Sequence, residues 1–388
     1  MSDSEPFVVA ADHVVTPSGW LAPGWLRIAG GRIAAMGEGE LPEPAAYRVR
    51  WALPGFIDMH VHGGGGASFT EGGPDDVRRA AAFHRGHGTT RLLASLVTAP
   101  LDELERRVAM LADLADEGVI DGIHLEGPFL SEKRKGAHDP TLLRDPEPTV
   151  IMRLIEQAGG TIEMITVAPE LAGGLASIEA MVAAGAVAAV GHTDADDATV
   201  AAALDLGATV VTHLFNAMPS IHHREPGPIP RLLCDDRCMV ELIADGFHLH
   251  PRVIAMAVSA AGPDRVALVT DAMAAAGMPD GDFDLGTLHV AVRNAQARLV
   301  EPDGSPGSIA GSTLTMDEAF ALMVGLGYPI PEVATMAATT PARWHGLDRV
   351  GELAPGYRAD LCVVEDRGRL LHVMQAGTWI GGSEKGNT

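Results

Sequence analysis

A barrel of eight parallel strands is the fold this sequence predicts, on three observations. From about residue 52, short apolar runs alternate eight times with longer stretches of helical period. The apolar residues are mostly small and aliphatic: hydrophobic content is 47% and aromatic content 4%, which suits parallel strands buried on both faces. Both ends of the chain read instead as short strands joined by glycine turns. The expected architecture is therefore an α/β fold, a (β/α)8 or TIM barrel with a small β-sandwich domain built from both chain termini. The expected division gives residues 1–52 and 346–388 to the β-domain and residues 53–345 to the barrel.

In chain order, "PFVVAADHVVTP" and "GWLRIAGGRIAAMGEG" are apolar strands, and Gly30-Gly31 is a two-residue turn suited to a hairpin. The eight barrel runs begin with "GFIDMHVH" (55–62), "TTRLLASLVT" (89–98), "VIDGIHLEG" (119–127) and "TIEMITVAPE" (161–170). They continue with "AVAAVGHTDA" (186–195), "ATVVTHLFNA" (208–217), "CMVELIADG" (238–246) and "RVALVTDAM" (265–273). Helices are expected between them at 75–86, 101–118, 171–185 and 195–206. After about 345, "RADLCVVEDRGRLLHVMQAGTW" returns to strand pattern behind Pro355-Gly356.

Lys and Arg number 28 against 51 Asp and Glu, a formal charge of −23, which argues against nucleic acid or an anionic membrane as partner. The acidic start "MSDSEPF" has no basic and apolar leader pattern, and no apolar run is long enough for a span, so a cytoplasmic protein is expected. Cys234, Cys238 and Cys362 make no disulfide framework. The spacing of the first two resembles one helical turn, and all three read as ordinary core thiols.

In such a barrel, function sits at the C-terminal ends of the strands. The first strand ends in His60 and His62, the third in Glu126, the fifth in His192, the sixth in His213 and the eighth in Asp271. Residues i and i+2 of a strand face the same way, so His60 and His62 both point at the barrel axis. Gly63 to Gly66 then let the chain leave without a bulky wall. Each group alone has a blander account, a satisfied core histidine or, for Asp271, a helix N-cap. Six metal-competent side chains on five strand ends point together to a metal site.

"PGFIDMHVHG", "HLEGPFLSEKRKGAH", "GHTDA", "THLFNAM", "REPG", "IADGFH", "VTDAM" and "GSTLTM", in that order, resemble the N-acetylglucosamine-6-phosphate deacetylases of the amidohydrolase superfamily. The resemblance implies that Glu126, His192 and His213 hold one divalent metal and that His60 and His62 hold a second, with Glu126 bridging and Asp271 close by. Zinc is the first expectation, with iron, cobalt or manganese as alternatives and one or two ions per subunit. The implied reaction is hydrolysis of the acetamide of N-acetylglucosamine 6-phosphate by metal-activated water. Asp271 would serve as base toward the water and then as acid toward the leaving nitrogen.

The resemblance further implies substrate contacts. His138 would reach the reacting carbonyl, its blander alternative being a solvent-exposed loop histidine. Ala137, Asn216, the backbone N–H of Ala217, and His248 would line the sugar and phosphate pocket, and Ile309 would pack on the acetyl methyl. Arg224 would reach the phosphate in the neighbouring active site of a homodimer, against the alternative of an ion pair with Glu225 or another nearby carboxylate. Lys133, Arg134 and Lys135 form a cationic run that either steers an anionic substrate or belongs to a solvated mobile loop. Another N-acyl sugar, a cyclic amide, or a non-catalytic binding protein on the same barrel stand as alternatives; a cyclic amidase would more often show a bridging lysine at a strand end.

Overall fold

The computed structural model describes residues 5–381, so the outermost residues of the expected β-domain, 1–4 and 382–388, lie outside the described residues. The chain divides into two compact units: residues 1–58, 84–91 and 315–388, and residues 59–83 and 92–314.

The first unit holds an eight-stranded sheet made from both termini. Tyr47–Pro54 lies at its middle, parallel to Phe7–Thr16 on one side and antiparallel to Leu361–Val364 on the other. Gly24–Ala29 and Arg32–Glu38 extend one edge, and Leu370–Gln375 and Thr378–Trp379 the other. Val9, Leu26, Ile28 and Ile33 from the N-terminal part share one core with Leu361 and Met374 from the C-terminal part. Both ends of the chain thus contribute to a single core.

The barrel strands run in parallel and in chain order: Phe56–Val61, Thr89–Leu96, Gly122–Glu126, Ile162–Val167, Val187–Val190, Val210–Val211, Met239–Ile243 and Val266–Val269. All eight fall inside the runs predicted from sequence. The ring closes through backbone bonds just past the eighth strand: Asp271 N–H donates to the His60 carbonyl and His62 N–H to the Ala272 carbonyl, both at 2.8 Å. Closure removes the open edges that a flat sheet would leave. The third, seventh and eighth strands are buried at every position, so they show no apolar–polar alternation, and the eighth, Val266–Val269, is apolar throughout. Pro74–Gly86, Leu101–Asp116, Gly174–Ala183 and Asp197–Asp205 are helices where helices were expected. In Leu101–Asp116 the buried side chains are Leu104, Val108, Leu111 and Leu114, one stripe at helical spacing.

Two features differ from the sequence reading. A four-stranded antiparallel sheet, Gly281–Leu285, Leu288–Arg293, Gln296–Val300 and Pro306–Ile309, follows the eighth strand. Its Val290, Val292 and Ala297 pack with Val97, Met273 and Ala310. The signal was present in "LHVAVRNAQARLV", where two alternating strands flank Asn294-Ala295, both at positive φ as a tight hairpin turn requires. The cysteine reading also changes. Ile229–Cys234 is a helix that ends at Cys234, so Cys238 is not one turn further on, and Cys234 is exposed while Cys238 and Cys362 are buried. All three are free thiols, and no described helix is long and apolar enough to cross a membrane.

Candidate metal centre and active site

The strand ends bring the predicted groups together. One ligand atom from each of His60, His62, Glu126 and Asp271 lies within 4.8 Å of the others, and the same holds for Glu126, His192 and His213. All six residues are buried. Glu126 belongs to both groups, one oxygen to each. Its Oε1 is 3.1 Å from His192 Nε2 and 2.8 Å from His213 Nε2, and its Oε2 is 3.1 Å from His62 Nε2. Asp271 Oδ1 stands 3.2 Å from His62 Nε2 and 3.5 Å from His60 Nε2.

This convergence depends on unusual backbone. His192, His213 and Asp271 have φ of 46°, 27° and 49°, in the left-handed region that side chains with a Cβ rarely adopt. Phe215 and Ala217 follow at 78° and 51°. Such strain persists only where the surroundings over-determine it, and it gathers at functional sites. Gly191 lets the fifth strand end closely packed: a Cβ there would lie 2.6 Å from Thr212 Cβ and 2.9 Å from Thr166 Cγ2.

For His60, His62 and His192 the second ring nitrogen assigns the tautomer. His62 Nδ1 is 3.2 Å from the Ser95 carbonyl and His192 Nδ1 is 2.8 Å from the Arg134 carbonyl. A carbonyl only accepts, so both Nδ1 atoms carry hydrogen. His60 Nδ1 likewise faces the Glu241 carboxylate at 3.1 Å. In the neutral forms of these three rings the Nε2 lone pairs therefore point inward, while His213 Nδ1 has no hydrogen-bond partner among the described residues. The Nε2 atoms meet one another at 3.1 Å, His60 against His62 and His192 against His213, and they meet the Glu126 carboxylate. Lone pairs facing lone pairs repel, and a cation between them makes each contact attractive. This imidazole and carboxylate set fits a divalent metal.

The electrostatics agree. Burial opposes charge on His60, yet Glu126 and Asp271 outweigh it and hold its pKa well above the ordinary value. Burial opposes His62 too, and the same two carboxylates push it up to about 9. Burial works against the Glu126 carboxylate, but His60, His138, His192 and His213 hold it well below the usual range; Asp271 is likewise lowered by His60 and His62 against its burial. The centre favours positive charge, and protons compete with a metal for it.

His138 is wired the other way. It is buried, not a solvent-exposed loop side chain. The Thr98 backbone N–H donates to its Nδ1 at 3.4 Å and Thr98 Oγ1 lies 2.8 Å from the same atom. An Nδ1 that accepts leaves the proton on Nε2, which faces the centre 3.5 Å from Glu126 Oε2. Burial pushes its pKa down to about 4, so the ring is neutral at pH 7 and presents an N–H donor.

Above the centre lies a cavity of about 390 Å³. Ala137, Asn216, Ala217, His248 and Ile309 line it, as do Lys133 and Arg134. Both cations pair with Asp194, at 3.1 Å from Lys133 Nζ and 2.7 Å from Arg134 Nη2; Lys133 is exposed and Arg134 half-buried. Arg224 does not line the cavity; it is exposed, and its Nη1 contacts His223 Nε2 at 2.7 Å. Sequence reading missed Glu241, Ser95 and Thr98, which orient the histidines. Glu241 left a signal: a carboxylate in the apolar run "CMVELIADG" demands a buried partner.

A barrel with two histidines at the end of its first strand and a shared carboxylate at its mouth defines a class, and over residues 51–382 the chain belongs to the amidohydrolase family. Its relatives include several deacetylases of amino-sugar phosphates. It is 46% identical to the N-acetylglucosamine-6-phosphate deacetylase of Mycobacterium smegmatis, whose structure with that sugar phosphate superposes with a TM-score of 0.94 over 97% of this chain and 100% of the other. It is 38% identical to an N-acetylgalactosamine-6-phosphate deacetylase of Escherichia coli, over 97% of this chain and 98% of that one. With an N-acetylglucosamine-6-phosphate deacetylase of Bacillus subtilis the identity is 33% over 93% of each chain.

Proposed function

We propose that this protein is a metal-dependent deacetylase that hydrolyses the acetamide of N-acetylglucosamine 6-phosphate to glucosamine 6-phosphate and acetate. The observation that carries this is the Glu126 carboxylate shared between His60/His62 and His192/His213, with Asp271 beside it and an uncharged N–H donor, His138, at the rim.

His60, His62, Glu126, His192, His213 and Asp271 would hold one or two divalent ions, zinc foremost, with iron, cobalt or manganese as alternatives. A bound divalent ion supplies Lewis acidity that lowers the pKa of water from about 15.7 toward about 7. Asp271 takes the proton of the attacking water and returns it to the amide nitrogen, which must leave as an amine. His138 Nε2–H donates to the carbonyl oxygen as negative charge develops there. Ala137, Asn216, the Ala217 N–H and His248 bind the sugar phosphate, and Ile309 packs on the acetyl methyl.

Arg224 does not line the cavity of its own chain, and this reading has it complete the phosphate site of a partner subunit in a homodimer. Buried reduced thiols at Cys238 and Cys362 suit a cytoplasmic enzyme. The chain division at about residues 52 and 345 is part of the same proposal. A second substrate, the 4-epimer N-acetylgalactosamine 6-phosphate, is favoured by the 38% identical relative that bears that activity in its name.

The test is acetate release from both sugar phosphates and from unphosphorylated N-acetylglucosamine, after chelation and after return of Zn²⁺, Fe²⁺, Co²⁺ or Mn²⁺. Metal-dependent turnover of at least one phosphorylated sugar supports the reading, and turnover that survives chelation or ignores the phosphate defeats it.

A further inference from the structure

We infer that Glu241 is a positioning residue that sets both halves of the metal centre at once, an inference that rests on the metal-dependent reading above. Glu241 lies within the seventh barrel strand and is fully buried. A lone carboxylate in such a place costs several kcal/mol, so its partners matter. One oxygen does two tasks. Oε2 accepts from His60 Nδ1 at 3.1 Å and from the His213 backbone N–H at 3.1 Å.

His60 belongs to the group formed with His62 and Asp271, and His213 to the group formed with His192. The contact with His60 fixes the hydrogen on Nδ1 and turns the Nε2 lone pair inward; its negative charge also makes that lone pair more basic. The contact with His213 acts on backbone, at a residue with φ of 27° that lies just beyond the two-residue sixth strand, Val210–Val211. The Glu241 carbonyl adds a third hold by accepting from Leu214 N–H at 2.9 Å. Glu241 thus fastens the exit of the sixth strand with main chain and side chain together, while aiming a ring on the first. Its Oε1 has no hydrogen-bond partner among the described residues. Leucine would fill the same volume without burying charge, so a purely packing role gives no reason for a carboxylate here.

The test uses the full chain, stripped of metal and reloaded. Apparent affinities for Zn²⁺ are measured by chelator competition, and Co²⁺ absorption spectra report ligand geometry. Glu241→Gln keeps an oxygen that accepts from both N–H groups but loses the charge; Glu241→Leu loses both contacts. The expected result is a metal-free melting temperature for Glu241→Gln close to that of the parent, with Zn²⁺ affinity lowered about 10-fold and a shifted Co²⁺ spectrum. Glu241→Leu should lose about 100-fold. If Glu241→Leu does not fold, Glu241→Gln decides alone. Parent-like affinity and spectrum in Glu241→Gln overturn the inference. A parent chain that takes up no metal overturns this and the metal-dependent reading together, and is distinguished by being read on the parent.

Discussion

Replacing His138 with alanine separates carbonyl polarisation from metal binding. The ring is uncharged at pH 7 because burial pushes its pKa down to about 4, and Thr98 N–H, by occupying Nδ1, leaves the Nε2 hydrogen for the cavity. It contributes one preorganised hydrogen bond in a buried site, and loss of one such donor costs about 2.7–4 kcal/mol, or roughly 100- to 1,000-fold in kcat. Its nearest approach to Glu126 is 3.5 Å, from a nitrogen that carries a proton and cannot ligate, so metal content should not change. KM should change little, since the bond strengthens only as charge grows on the oxygen. Thr98→Val removes the 2.8 Å hydroxyl contact but keeps the backbone donor, so kcat should fall only about 3- to 10-fold. The assay is steady-state acetate release on reloaded enzyme, with metal quantified in the same samples. A His138→Ala enzyme with parent kcat, or one whose loss is fully explained by missing metal, would refute the reasoning.

Three further outcomes are expected. Asp271→Asn should retain substrate binding and the ion held by Glu126, His192 and His213, while kcat drops about 100- to 10,000-fold; an active variant rules out Asp271 as the proton carrier. Arg224→Ala should raise KM for the phosphorylated sugar about 10- to 100-fold, the worth of a charge-assisted contact, and leave the unphosphorylated sugar nearly unaffected; equal effects on both would defeat the phosphate assignment. The third concerns His345, whose two ring nitrogens are buried without a hydrogen-bond partner among the described residues and whose pKa burial pushes down to about 4. Its folded value lies below the unfolded one of about 6.5, so the unfolded chain binds the extra proton first and stability falls as pH drops from about 7 toward 4. At pH 5 this amounts to about 2 kcal/mol, read as a denaturation midpoint that moves less with pH in His345→Leu than in the parent.

The eight barrel strands were legible in the residues because apolar runs, glycine breaks and helical stripes are local patterns. Strand parity alone put His60 and His62 on one face, and the ends of five runs named all six groups that now stand within 4.8 Å in two clusters. The hairpins of 281–309 were equally local in pattern, but they lie beyond the eighth barrel run, where the alternation of strands and helices no longer pointed to them.

What the chain order could not carry is the pairing across it. Which oxygen of Glu126 serves which histidines depends on strands drawn together from residues 60, 126, 192 and 213. The proton positions depend on Ser95, Arg134, Glu241 and Thr98, each far in sequence from the ring it fixes. The positive φ of His192, His213 and Asp271 likewise left no mark in the local residue pattern. Periodicity is a property of a segment and can be read along it. Hydrogen-bond satisfaction in a buried site belongs to the assembled ring, because the partners come from segments distant in the chain.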